Sequence, residues 1–161
     1  MPLSTVQMTG KLDPRGGWEA KGCTIAQTLD VVGTRSAFLL LREAFYGTTR
    51  FDEFAQRAGV SEPVAAARLK ELVEVGLIER RPYQEPGQRT RLEYRLTPKG
   101  VDFFPALVAL NQWGERWLEP AGVVMRHRAC GGAVRAELRC EHGHDLTVGD
   151  IDLAVRPPAA A

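Results

Sequence analysis

No stretch of the 161-residue chain approaches the ~18 consecutive apolar residues that a membrane-crossing helix requires. Residues 1–20 also lack the basic start and apolar run of a signal peptide, so the cytoplasm is the expected compartment and no membrane partner is expected. Cysteine is scarce. Three residues, an odd number at wide spacing, exclude a disulfide scaffold. Bulk charge is scarce too: 21 basic against 20 acidic side chains leave no overall attraction for polyanions. A nucleic-acid binder built from this composition must concentrate its positive charge where phosphates lie.

Concentrated charge is what the middle of the chain supplies. With 44% hydrophobic residues there is material for one packed core and a small appendage. The most informative stretch is Gly59 to Tyr83, GVSEPVAAARLKELVEVGLIERRPY. Ser61 stands at an N-cap position, and Pro63 suits a first helical turn. Leu69, Leu72 and Val73 form an apolar stripe, and Gly76 stands where a helix would stop. The basic pair Arg80-Arg81, a polar tip at 85–88 and a second alternating segment from Arg91 to Leu96 follow. Five arginines fall between Arg80 and Arg95 against Glu85 and Glu93. A docking helix followed by a two-stranded basic wing points to double-stranded DNA.

The flanking segments fit that order. Ile25, Leu29 and Val32 lie on one face of a short helix from Thr24 to Val32. Thr34 to Tyr46 is a stronger helix, burying Ala37, Phe38, Leu41, Ala44 and Phe45. Thr48 or Thr49 is placed to cap a helix from Phe51 to Ala58, and Gly59-Val60 turns into the Ser61 helix, a helix-turn-helix order. Thr97-Pro98 opens a long apolar helix to about Leu118, which Pro105 must bend or delay. Its apolar surface, including Trp113 and Trp117, suits a dimerisation element.

The chain resembles the HxlR-type winged-helix regulators, relatives of the MarR group, from Cys23 to about Leu118. The likeness rests on Leu29-Asp30-Val31-Val32-Gly33, Phe51-Asp52-Glu53-Phe54, Arg68-Leu69-Lys70-Glu71-Leu72, Gly76-Leu77-Ile78-Glu79-Arg80, Tyr94 to Gly100 and the two late tryptophans, in that order. The resemblance implies a homodimeric transcriptional regulator that binds a pseudo-palindromic operator, and no enzyme. By position, Arg35 and Arg50 would touch phosphates, Ser61, Glu62, Pro63, Ala66 and Arg68 would face base edges, and Arg81, Arg89 and Arg91 would grip the backbone from the wing. Pro63, Ala66 and Ala67 depart from the usual polar pattern, leaving the docking helix poor in hydrogen-bonding groups.

Cys23, before the first helix, matches the place where some relatives sense oxidants; a semi-buried structural cysteine is the plain alternative. The tail carries His127-x-x-Cys130-Gly131-Gly132 and Cys140-Glu141-His142-Gly143-His144, which resemble a miniature zinc ribbon with Gly143 where a thiolate is expected. His127, Cys130, Cys140, His142 and His144 are the candidate zinc ligands; a metal-free ribbon is the alternative, and no cofactor is required. No acid pair, Ser-His-Asp order or phosphate-cradling glycine loop surrounds them.

The expected architecture is mainly α with a small β-wing. It comprises a flexible arm (1–20), a winged-helix DNA-binding and dimerisation domain (21–119), a small β-rich tail (120–156) and a disordered end (157–161). Double-stranded DNA and a second copy are the expected partners, with a small-molecule or oxidant effector. The competing reading is a redox- or metal-responsive module with weakened DNA recognition.

Overall fold

The computed structural model describes residues 5–13, 22–84, 86–87, 89–119 and 122–155. In chain order the elements are β1 (Gln7–Met8), α1 (Thr24–Val32), α2 (Arg35–Phe45), α3 (Phe51–Ala58), α4 (Glu62–Glu74), β2 (Ile78–Tyr83), β3 (Arg91–Leu96), α5 (Pro98–Val101), α6 (Phe104–Trp117) and β4 (Asp152–Leu153). Two units result: Thr24–Val134, and Met1–Cys23 together with Arg135–Ala161.

In the larger unit, α2 begins at Thr34, whose hydroxyl accepts from the Ala37 N–H at 3.2 Å. Helix α3 ends at Gly59, with φ of 63°, a left-handed conformation that glycine adopts without the clash a Cβ would cause. Ser61 takes the N-cap position of α4 with extended backbone, but its hydroxyl makes no capping bond. Pro63 in the first turn has no N–H to offer, which removes one of the two donors such a cap uses. The expected threonine cap of α3 is not formed either. Arg50 occupies that N-cap, and Thr48 is buried, donating its hydroxyl to Glu43 Oε2 at 3.4 Å.

Glu43 is itself a buried carboxylate on α2. Arg42 donates to it from Nε at 2.9 Å and from Nη2 at 2.6 Å, while Arg57 of α3 donates to the Thr48 hydroxyl at 2.9 Å. A charge removed from water must be paired in this way, and the pairing ties the ends of α2 and α3 together.

The core is built where the helical stripes of α1 to α4 meet the inner face of the wing: Val32, Leu40, Leu41, Phe54, Ala65, Leu69, Leu72, Ile78 and Tyr94 are buried. Phe54 meets Tyr94 edge-to-face, centroids 5.8 Å apart. Each large apolar side chain enclosed here contributes about 1.5–3 kcal/mol. Strands β2 and β3 pair antiparallel from Ile78↔Leu96 to Tyr83↔Arg91.

The single long helix expected from Pro98 is two helices. The helix is interrupted at Asp102–Phe103, and Pro105 falls in the first turn of α6. Within one unbroken helix its ring would collide with the carbonyl four residues earlier. Gly100 in α5 has a steric reason of its own. A Cβ there would lie 2.1 Å from the Leu77 carbonyl oxygen and 3.1 Å from Leu96 Cδ2.

In the smaller unit, β1 and β4 pair in parallel, Gln7 with Asp152 and Met8 with Leu153. Residues 7–8 are therefore held by backbone bonds such as Thr9 N–H to Leu153 O at 3.0 Å, rather than lying in a loose arm. Short alternation gives the tail little regular strand. Beyond β4 there are the isolated bridges Arg126↔Ala133 in the larger unit and Arg139↔Asp145 in the smaller. Residues 157–161, and 1–4 and 14–20 of the expected arm, lie outside the described residues.

Candidate nucleic-acid interface

Helix α4 buries Ala65, Leu69 and Leu72 and turns Glu62, Pro63, Val64, Ala66, Ala67, Lys70 and Glu74 outward. Ser61 is exposed at its start. Arg68 stands on the shoulder, half-buried, its guanidinium engaged by the Glu71 carboxylate one turn on. Two of its neighbours are also paired, Lys70 with Glu74 at 3.7 Å. The helix therefore shows an apolar first half and an internally neutralised second half.

The wing is fixed to this helix at its base. The Thr97 hydroxyl donates to the Gly76 carbonyl at 2.6 Å and accepts from the Gly100 N–H at 3.0 Å. Lys99 Nζ donates to the Val75 carbonyl at 2.7 Å, a cation at a helix C-terminus, where the macrodipole favours it. On the other side, Tyr94 N–H donates to Thr49 O at 2.9 Å, joining β3 to the turn before α3.

The arginines divide into held and open. Arg81 is exposed but paired with Glu79 at 2.6 Å, and Arg95 with Glu93 at 2.9 Å. Arg80 lies over the Tyr94 ring at 5.6 Å. Arg50, at the start of α3, stacks on Tyr83 of the wing, 3.8 Å from the ring centroid. Tyr83 pairs across the hairpin with Arg91. Arg50, Tyr83, Arg91 and Asp52 all line one depression of about 430 Å³. Glu53 lines it too, but its carboxylate faces Arg57 at 3.6 Å. Arg35 and Arg89 are exposed. Among the described residues no ion pair engages Arg35, Arg89 or Arg91.

A sequence model of HxlR-like helix-turn-helix proteins matches residues 31–122. The chain belongs to the HxlR-like helix-turn-helix family. An uncharacterised HTH-type transcriptional regulator of Mycobacterium tuberculosis, Rv3095, is 41% identical over 135 residues, spanning 81% of this chain and 84% of the relative. That alignment is longer than the matched HxlR segment, so the likeness to Rv3095 reaches outside it. The crystal structure of PA1607, a candidate transcription factor, is similar with a TM-score of 0.73 at 37% identity, covering 82% of this chain and 94% of that one. The redox regulator HypR in its reduced form is similar over 57% of this chain and 90% of its own, with a TM-score of 0.51 at 28% identity. This HxlR-family chain is a DNA-binding transcriptional regulator of winged-helix architecture, and no enzymatic family is indicated. No helix among the described residues is long and apolar enough to cross a membrane.

Outside the winged core of this HxlR protein, the sulfur and imidazole groups form two pairs, each in a glycine turn. In the larger unit His127 Nδ1 lies 3.0 Å from Cys130 Sγ. In the smaller, Cys140 Sγ lies 3.4 Å from His144 Nδ1. Backbone hydrogen bonds from His144 and then His142 hold the Cys140 thiol below its ordinary value. The His142 ring turns away to Glu141, at 3.7 Å. Among the described residues no three His, Cys, Asp or Glu side chains form a group that could hold a metal ion. Cys23 is half-buried and unpaired by any disulfide.

Several contacts at the candidate interface escaped the sequence reading. Val64 is 40% exposed in the first turn of α4, a position that a helical wheel centred on Ala65 and Leu69 would have revealed. Tyr83 holds Arg50 through a contact no local pattern announces. Lys99 and Thr97 fasten the wing to α4, and only the Thr97-Pro98 cap was visible.

Proposed function

We propose that this regulator binds a pseudo-palindromic operator as a homodimer, with α4 in the major groove and the wing against the neighbouring backbone. The observation that carries the reading is an exposed helix joined to a basic wing. Arg50 and Arg91 line one depression with Tyr83, Arg89 is exposed, and the outer surface of α4 is free of core packing. Arginines so placed grip phosphates and fix register, while the helix meets base edges. Ser61 at the N-cap of α4 and Glu62, Pro63, Ala66 and Arg68 on the helix are among the residues that approach the bases. Arg35, Arg50, Arg89 and Arg91 are the phosphate contacts, with Arg81 joining them once it exchanges Glu79 for phosphate.

Dimerisation draws on a separate surface. Ile25 and Leu29 on α1 are 71% and 57% exposed, and Trp113 and Trp117 on α6 are 56% and 62% exposed. A groove of about 560 Å³ between these helices is lined by Ile25, Leu29, Phe38, Phe103 and Trp113. So large an apolar surface, unpartnered in one chain, suits a second copy.

Titration by fluorescence anisotropy tests the proposal, using labelled DNA from just upstream of the coding region, a scrambled competitor and two salt concentrations. Tight binding that resists the scrambled duplex and weakens steeply with salt is the expected result. Equal, weak binding to both duplexes overturns it.

A second reading concerns the signal. Cys23 stands directly before α1, and the likeness to the redox regulator HypR favours an oxidant-responsive thiol there. Loss of operator affinity on diamide treatment, abolished in Cys23→Ser, supports it; unchanged affinity after diamide removes it.

A further inference from the structure

The outward surface of α4 is apolar where a DNA reader is ordinarily polar. Across its first two turns the exposed positions are Glu62, Pro63, Val64, Ala66 and Ala67. Val64, at 40% exposure, presents a branched hydrocarbon to solvent. The one arginine of the helix, Arg68, is engaged by Glu71, and Lys70 is paired with Glu74 at 3.7 Å. Recognition of guanine through O6 and N7 needs a free guanidinium or ammonium fork, and adenine needs a side-chain amide. The first half of α4 supplies neither. Lys70 begins about 10 Å along the axis from Pro63, roughly three base pairs away.

We infer that α4 reads its operator through thymine C5-methyl groups, with Val64, Ala66 and Ala67 as the specificity-determining residues. The inference rests on the proposed placement of α4 in the major groove. In that groove thymine is the base that presents a methyl group, and small apolar side chains are its matching partners. The chemistry also accounts for the acidic neighbours. Glu62 and Asp52 add repulsion to any approach governed by charge alone, so a site matched by apolar contact gains discrimination that a merely basic duplex lacks. Affinity comes from Arg50, Arg89 and Arg91; preference comes from the hydrocarbon surface of α4.

The test starts from a duplex pool of random sequence, selected on the full-length protein. Each thymine of the enriched site is then replaced singly by deoxyuridine, which pairs identically and lacks only the methyl. The expected result is a loss of about fourfold in affinity at each thymine facing α4, with no change in salt slope. Val64→Ala should make one of those positions indifferent to uracil while leaving affinity for the uracil duplex unchanged. Because Val64 is exposed, this variant keeps the fold, which circular dichroism verifies. Replacement of cytosine by 5-methylcytosine at the equivalent position should restore part of the lost affinity. An enriched site whose binding is indifferent to uracil at every position overturns the inference while leaving the operator reading intact. A pool that enriches no sequence overturns the operator reading, and this inference with it.

Discussion

The guanidinium of Arg50 lies 3.8 Å from the centroid of the Tyr83 ring. This joins the first residue before α3 to the last residue of β2, two elements separated by the whole of α4. A guanidinium held over an aromatic face is fixed in direction by the ring, so the stack orients Arg50 relative to the wing.

Tyr83→Ala should therefore weaken binding to every duplex alike. An exposed cation–π contact is worth about 0.5–1 kcal/mol, or roughly two- to fivefold in affinity. Tyr83→Phe should bind as the parent does, since the ring and not the hydroxyl holds Arg50. Anisotropy titrations on operator and scrambled DNA measure both. Loss confined to the operator would place Tyr83 at a base instead.

Gly100 should tolerate no side chain. Alanine there drives a Cβ to 2.1 Å from the Leu77 carbonyl oxygen, a backbone atom that cannot rotate away. The same carbonyl accepts from the Thr97 N–H at 3.1 Å, so relief requires displacing the joint between the wing and α5. Overpacking of this kind costs about 1–3 kcal/mol or more. A fall in thermal midpoint of several degrees in Gly100→Ala, read by calorimetry, is the expected outcome; an unchanged midpoint would contradict the packing described.

Much of this was legible because it is local. Gly59 and Gly76, at φ of 63° and 74°, Thr34 before α2 and Thr97-Pro98 before α5 each announce an element boundary through their own backbone chemistry. The wing was legible because its alternation and arginine content follow a helix stop. What escaped is non-local or masked by a stronger signal. Arg50 and Tyr83 are 33 positions apart in sequence, and the pairing of Gln7 with Asp152 joins segments two residues long, too short to carry a period. Arg68 and Glu71 sit at the spacing of a helical ion pair, and reading Arg68 as a base-facing residue left that pairing unremarked. The Cys and His spacing of the tail was legible as well, and the pairs His127–Cys130 and Cys140–His144 form.

Acid should act on the tail at Asp150. The Thr147 hydroxyl donates to its carboxylate at 2.6 Å and the Thr147 N–H at 2.8 Å, and these bonds hold the carboxyl below its ordinary value. A carboxyl depressed in the folded state contributes stability that is fully present above the unfolded value. That contribution disappears as pH falls through the lowered one. At neutral pH the capping box is thus intact, and it loosens only in acid. Carboxyl-carbon NMR should place the Asp150 midpoint below the usual aspartate range, and Thr147→Val should move it upward. A midpoint unmoved by Thr147→Val would assign the depression to another cause.

Trp113 and Trp117 test the assembly. Both present more than half of their surface on α6, and Trp113 lines the same groove as Ile25 and Leu29 of α1. Solvent exposure of two tryptophans one helical turn apart is costly in an isolated chain, and their burial between two copies removes that cost. Aromatic anchors of this kind contribute about 2 kcal/mol or more when truncated, a factor of roughly thirty in a dissociation constant. Trp113→Ala with Trp117→Ala should therefore yield monomers by sedimentation velocity at concentrations where the parent is dimeric. The arginines around α4 are untouched by these changes, so binding to an isolated half-site should persist while the gain from a second, properly spaced half-site is lost. A double variant that remains dimeric would move the interface away from α6; a variant that is monomeric yet keeps the full two-site affinity would uncouple dimerisation from operator binding.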